Sequence, residues 1–210
     1  MLKIENVYTS GWKAAIRGMR NPKNSWAQID SAVVNGNGFV VGNNDYDLMY
    51  RLASAGTDHG KFMRMITVYL DVTAPLYWWK EFDTYKVGTV ANSCSTMHKI
   101  HSKEFTLDDF SHEQLNEKSL YMLNETVRYL NAVREAFVET KDKEYWWRMI
   151  QLLPSSYNQR RTVMLNYAVL RNIYHARKDH KLDEWHTFCD WIESLPYSDL
   201  ITGITGKAVL

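Results

Sequence analysis

The segment Leu152–Arg177, LLPSSYNQRRTVMLNYAVLRNIYHAR, decides how the chain is read. After Pro154 it carries no further Gly or Pro, and Ser155 and Ser156 are residue types that cap helix starts, so the pattern predicts one long helix to Arg177. At about 100° per residue, Gln159, Asn166 and Arg177 share a face with Thr162, Val163, Val169, Leu170 and Ile173. Arg160, Arg161, Met164, Arg171 and His175 fall opposite. The apolar face of the predicted helix therefore carries a polar seam. Burying an amide and a guanidinium among aliphatic side chains is costly unless each is bonded. Two solutions exist: partners within the fold, or a ligand with amide-like edges and an anionic group, because Arg grips phosphate or carboxylate with a rigid fork.

Around this segment, 210 residues fit one domain, 1–210. Lys and Arg number 25 against 24 Asp and Glu, for a formal charge of +1, so no overall pull toward nucleic acid or membrane follows. No run approaches the roughly 20 apolar residues of a membrane helix, and the start MLKIENVYTSGWK lacks an apolar secretory core. Cys94 and Cys189 have no paired-ligand spacing, which suggests a reducing, cytoplasmic setting and no metal site. Cys189 reads as a small core residue, while Cys94 lies among hydroxyl residues with no evident base. The 8 Trp and 13 Tyr point to core and subunit interface before ligand stacking.

Periodicity predicts a strand over Lys3–Val7, a helix over Gly11–Met19 capped by Ser10, and a hairpin turning at Asn35–Gly38. That turn lacks the Lys and Ser/Thr of a phosphate-binding loop. A helix is expected over Asp45–Ala55, stopped by Gly56. A strand follows over about Met63–Thr73, with Ile66, Val68, Leu70 and Val72 on its core face. Ala74-Pro75 opens a turn or helix. Ser111 and Gln114 resemble a capping box for a long amphipathic helix whose buried stripe would be Leu115, Met122, Leu130, Val133 and Phe137. A last helix over Leu182–Glu193 turns Trp185, Phe188, Cys189 and Ile192 inward, and the tail from about 196 to 210 is expected to be peripheral.

Leu153-Pro154, Asn166 twelve residues after the proline, and Arg177 eleven residues later resemble the C-terminal signature of the flavin-dependent thymidylate synthases. In that family the Asn position meets flavin, a second flavin-contacting Asn lies six residues on, where Asn172 stands, and the Arg position meets the nucleotide. The family's Arg two residues after the first Asn is Ala168 here. Counting back from Ala74-Pro75 puts His59 at the family's flavin-contacting His. The defining motif, Arg-His-Arg-x-x-Ser-x-Asn-x-x-Ser-x-Arg, falls in register on Thr84, Tyr85, Lys86, Thr89, Ala91, Cys94 and Thr96, so its register survives and most of its residues do not. Lys86 keeps one charge without the fork, Thr89 keeps a hydroxyl, and Thr96 loses a phosphate contact. Glu81 stands where the family has Gln, and Asn92 where it has Glu. Such exchanges change which base edge or hydroxyl a site accepts. Arg148 lies half a turn out of register with a phosphate-holding Arg.

The resemblance implies an α+β fold, a mostly antiparallel sheet flanked by long helices, with a helical insertion at about 105–145. It implies FAD held by His59, Lys86, Thr89, Asn166 and Asn172, and a pyrimidine deoxynucleotide such as dUMP met by Glu81, Asn92, Ser93, Cys94 and Arg177. No protein group is assigned as a catalytic residue, since the flavin carries the redox chemistry. NADPH and methylenetetrahydrofolate would be co-substrates, and the assembly a homotetramer. The implied activity is transfer of a one-carbon unit to C5 of the pyrimidine. The alternative is an inactive homologue that works as a nucleotide- or protein-binding module, and an all-helical partner protein is a third reading.

Overall fold

The computed structural model describes residues 1–34 and 38–204. In chain order the elements are β1 (Lys3–Ser10), α1 (Trp12–Arg20), β2 (Ala32–Val34), β3 (Gly38–Val40), α2 (Asn43–Ser54), β4 (Thr67–Pro75), α3 (Leu76–Phe82) and β5 (Val90–Ser93). There follow α4 (Thr96–Lys99), α5 (Glu117–Thr140), α6 (Lys143–Leu152), β6 (Asn158–Asn166), α7 (Tyr167–Arg177), α8 (Asp183–Glu193) and α9 (Asp199–Thr202). The architecture is α+β with a mostly antiparallel sheet. Four strands follow the order β1-β4-β6-β5, and β2 pairs with β3 antiparallel, Ala32 opposite Val40. The expected hairpin is therefore present, though Asn35, Gly36 and Asn37 of its turn lie outside the described residues.

The chain divides into two compact units. The first gathers Met1–Glu5, Asp71–Thr84 and Ala91–Thr162. Its core is Ile100, Phe105, Phe110, Leu123, Val127, Leu130, Val133 and Met149. Beside these, Trp78, Trp79 and Phe82 of α3 are fully buried, each contributing about 2 to 3 kcal/mol by leaving water. The Trp79 Nε1–H donates to the Gln159 carbonyl at 2.9 Å, satisfying the indole's one polar atom.

The second unit holds Asn6–Leu70, Tyr85–Val90 and the chain from Val163 onward. Ile66, Val68 and Leu70 are buried on the expected face. Val163, Leu165, Leu170, Ile173, Trp185, Phe188 and Ile192 are buried as well. Arg20 at the end of α1 donates to Asp45 of α2 at 2.6 Å, with both side chains 2% exposed or less. The other Asp45 oxygen accepts from the Asp30 and Ser31 amides and the Ser31 hydroxyl. Charges so deeply buried persist only with this number of partners.

Several sequence expectations are corrected. The long helix over 155–177 is a strand, β6, followed by a shorter helix, α7. Along β6 burial alternates, with Gln159, Val163 and Leu165 buried and Arg160 and Thr162 exposed, so period two decides there. The polar seam on one helix face does not exist: Gln159 is a strand residue and Asn166 is the cap between strand and helix. The strand expected from Met63 begins at Thr67, after a 3-10 turn over Gly60–Met65. Gly11 rather than Ser10 precedes α1. The long helix α5 is capped by Asn116, whose side chain accepts from Ser119 N; Ser111 is buried and bonds Asn158. Its buried stripe is Leu123, Val127, Leu130 and Val133, leaving Leu115 and Met122 exposed. The tail expected to be peripheral contributes buried Leu200 and Ile201 through α9.

Candidate functional site

In the second unit, the stretch Tyr85–Val90 touches both ends of α7. At one end, Gly88 adopts φ +79°, and a Cβ there would lie 2.8 Å from Asn166 Nδ2 and 3.2 Å from Val169 Cγ2. Left-handed backbone and lack of room both demand glycine. Asn166, 8% exposed, caps α7 by accepting from Val169 N–H at 3.0 Å. Next to Gly88, the Thr89 hydroxyl is buried and has no hydrogen-bond partner. Buried polar atoms are rarely left so.

At the other end of α7, Arg177 Nε donates to the Tyr85 hydroxyl at 2.8 Å. Its guanidinium also lies 4.9 Å from the Trp185 ring centroid and 5.6 Å from that of Tyr85. Tyr85 and Trp185 themselves meet edge to face, with centroids 6.1 Å apart, and the cation lies beside this pair.

In the first unit, β5 and β6 build a separate polar surface. Gln159 Nε2 donates to the Cys94 carbonyl at 2.8 Å, and Arg161 Nε donates to Gln159 Oε1 at 3.0 Å. Arg161 stacks on Trp79 at 4.2 Å and pairs with Asp83 at 2.7 Å. A cleft of about 330 Å³ is lined by Cys94, Ser95, Thr96, Lys103, Asn158 and Arg160, among others. Arg160 pairs with Asp71 at 2.7 Å, and Lys103 pairs with Asp109. The Asn158 Nδ2 atom is buried without a partner. Burial, and then the Asp109 charge, raises the Tyr157 phenol above its ordinary range, so it stays a neutral donor in this cleft.

Of the sequence-predicted site residues, the structure assembles Thr89, Asn166 and Arg177 with Tyr85 and Gly88 around α7. Lys86 belongs to the same stretch and is exposed. Asn172 is exposed on α7, and His59 is exposed at the cap of the Gly60–Met65 turn; neither enters the contacts just described. Glu81 is half-buried on α3, and Asn92, Ser93 and Cys94 are exposed on or just after β5. Arg148 is half-buried and pairs with Glu144. Gln159, Asn166 and Arg177 all find partners within the chain, as one of the two sequence alternatives required. Sequence reasoning missed Gly88 and the bond from Tyr85. A lone glycine between Val87 and Thr89, in a segment otherwise free of breakers, was the available signal.

No protein-family model matches the chain, and no curated protein matches it. Solved structures do. A flavin-dependent thymidylate synthase from Helicobacter pylori, crystallised with FAD and dUMP, superposes with a TM-score of 0.69 at 16% identity, covering 97% of this chain and 98% of that one. A second crystal structure described in the same terms gives the same TM-score and identity over 96% and 98%. A UMP/dUMP methylase, PolB from Streptomyces cacaoi, bound with 5-bromo-dUMP, gives 0.58 at 13% identity over 92% and 89%. With identity this low but coverage nearly complete, the chain carries, in divergent form, the fold of the flavin-dependent thymidylate synthases.

Proposed function

We propose that this protein is a flavin-dependent enzyme that transfers a one-carbon unit to C5 of a pyrimidine deoxynucleotide, dUMP or a close relative. The single observation that carries the proposal is the grouping of Gly88, the unpartnered Thr89 hydroxyl and Asn166 at the head of α7. These residues fit FAD: a backbone with no side chain at Gly88, a hydroxyl lacking a partner and an amide offer close approach and hydrogen bonds to a planar heterocycle. His59, Lys86, Thr89, Asn166 and Asn172 are assigned to the flavin. Arg177 is assigned to the anionic part of the nucleotide, and Glu81, Asn92, Ser93 and Cys94 are assigned to nucleotide recognition. Bound FAD supplies the redox chemistry, with NADPH as reductant and methylenetetrahydrofolate as one-carbon donor. The chain's own groups bind, orient and polarise the base. Residues 1–210 act as one functional domain, in a homotetramer, in a reducing cytoplasm where Cys94 and Cys189 stay thiols.

Purified protein incubated with FAD is expected to turn yellow and to retain the flavin through gel filtration. It is then expected to bind dUMP, with Arg177→Ala losing the nucleotide and keeping the flavin. Colourless protein that ignores added FAD sinks the proposal.

A second reading, an inactive nucleotide- or protein-binding module, is favoured by one observation. Asn166 and Arg177 are both engaged by their own chain, and Thr96 stands where the family has a phosphate-binding Arg. Nucleotide binding without flavin retention would select it.

A further inference from the structure

In the first unit, a chain of side-chain bonds that no assigned role uses ends on the backbone of Cys94. From Ala91 to Lys99 no side chain is buried, so packing does not hold this stretch and hydrogen bonds must. Cys94 is held on both sides of its backbone. Its N–H donates to the Arg160 carbonyl at 2.9 Å, and its own carbonyl accepts from Gln159 Nε2 at 2.8 Å. The next anchors are the Ser95 hydroxyl, which accepts from His98 N–H, and the Met97 carbonyl, which accepts from Trp146 Nε1–H, both at 3.0 Å.

Gln159 is 8% exposed, and its amide could bond either way round. Arg161 settles the choice. Its Nε–H can only donate, and it does so to Gln159 Oε1 at 3.0 Å, which leaves Nε2 to face the Cys94 carbonyl. Arg161 is fixed in turn, 4.2 Å from the Trp79 ring centroid and paired with Asp83 at 2.7 Å.

We infer that Gln159 is a positioning residue: oriented by Arg161, it holds the Cys94 carbonyl and so fixes the backbone of Ser93 and Cys94 for recognition of a pyrimidine nucleotide. The inference rests on the proposed assignment of Ser93 and Cys94 to the nucleotide. Released from Gln159, the unpacked stretch gains conformers that do not bind, and affinity falls by the fraction of time the competent one is occupied.

The test uses the full-length protein loaded with FAD, calorimetric titration with dUMP, and the rate at which a small disulfide reagent takes the exposed Cys94 thiol, Cys189 being buried. Gln159→Leu removes both amide bonds at similar volume, and Gln159→Glu keeps the acceptor for Arg161 while losing the donor to Cys94. Each variant is expected to weaken dUMP binding roughly three- to tenfold, the scale of one lost hydrogen bond, and to change the Cys94 rate by a similar factor. Flavin content should not change. A merely structural bond would lower Tm and leave the affinity of the folded protein alone. Arg161→Leu should weaken dUMP binding too, yet add nothing in the Gln159→Leu background, because it acts through the amide. Wild-type dUMP affinity in Gln159→Leu overturns the inference, and full additivity of Arg161→Leu with Gln159→Leu overturns the part given to Arg161. If the wild-type protein binds no dUMP, the nucleotide assignment fails by itself and the Cys94 rate decides the positioning: a rate altered in Gln159→Leu supports it, and an unaltered one overturns it. Should Gln159→Leu fail to fold, Gln159→Glu decides on the same two readings.

Discussion

Replacing Gly88 by alanine tests whether the head of α7 is as crowded as the coordinates make it. The substitution carries two costs. At φ +79° an L-residue is disfavoured by about 1 to 2 kcal/mol. The new methyl would also stand 2.8 Å from Asn166 Nδ2 and 3.2 Å from Val169 Cγ2, so the amide must move. That amide caps α7 through Val169 N–H at 3.0 Å, and losing such a cap costs about 0.5 to 2 kcal/mol. The sum predicts a loss of about 1.5 to 4 kcal/mol, read as a lower urea midpoint at constant m-value. Gly56 is the control, with φ +104° and no atom within 4 Å of a would-be Cβ, so Gly56→Ala should show the backbone cost alone. Combining Gly88→Ala with Asn166→Ala should recover the cap portion, a coupling of about 1 kcal/mol or more. Equal penalties at Gly88 and Gly56, with strict additivity toward Asn166, would refute the crowding.

Three further outcomes follow from the same coordinates. Asp45→Asn should destabilise by about 3 to 5 kcal/mol, because it strands a buried Arg20. The pH dependence has a definite sign: burial raises the Asp45 carboxyl, but bonds from Ser31, Arg20 and the Ser31 and Asp30 amides outweigh it and hold it below 3.8. Its stabilisation is therefore complete above pH 3.8 and is lost as pH falls through the depressed value, so the acid limb of a stability profile should flatten in Asp45→Asn. A thiol reagent on native protein should label Cys94, which is exposed, and spare Cys189, whose thiol burial and then the Asp190 and Glu193 charges push up to about 11; labelling of Cys189 without unfolding would contradict this. Thr89→Val, which removes an unpartnered hydroxyl at nearly constant volume, should raise the ligand-free stability by about 1 kcal/mol and lower FAD affinity, measured by urea unfolding and by flavin fluorescence.

The fold was legible in the sequence where one periodicity stood alone. Ile66, Val68, Leu70 and Val72 alternate without competition; all four are buried, the last three on β4 and Ile66 just before it. Trp185, Phe188, Cys189 and Ile192 fit only a helix, and α8 forms over nearly the expected residues. The segment 158–177 was misread because both periods fit parts of it. Val163 and Leu165 sit two apart on a strand, while Val169, Leu170 and Ile173 sit on a helix, and a continuous helical projection absorbs both sets. Asn166 was the missing punctuation. As the residue type best suited to cap a helix, it marks a start at Tyr167, and the residues before it then read as period two. For α5 the expected Leu130 and Val133 are buried, but Leu123 and Val127 complete the stripe in place of Met122 and of Leu115, which precedes the helix. The contacts of the residues singled out by spacing were not legible. The bond from Arg177 to Tyr85 joins residues 92 apart, and no local pattern encodes it.

What remains of the site is uneven in kind, and the unevenness separates its two halves physically. At the head of α7, which the proposed function assigns to flavin, the features cost stability: a left-handed Gly88 beside a crowded cap, and a Thr89 hydroxyl buried without a partner. Neither gains a compensating bond among the described residues, and adjacent uncompensated strain and desolvation are the pattern that a missing ligand resolves. At the end of α7, which the proposed function assigns to the nucleotide, Arg177 is satisfied already: it is held by Tyr85 and Trp185 whether or not an anion arrives. A satisfied group stabilises the empty protein, so its presence argues less for a ligand than an unsatisfied one does. The two affinities are therefore separable. If binding is retained at only one end, the physics favours FAD, and a protein that holds flavin while discriminating weakly among pyrimidine nucleotides is the outcome this chain's residues allow most directly.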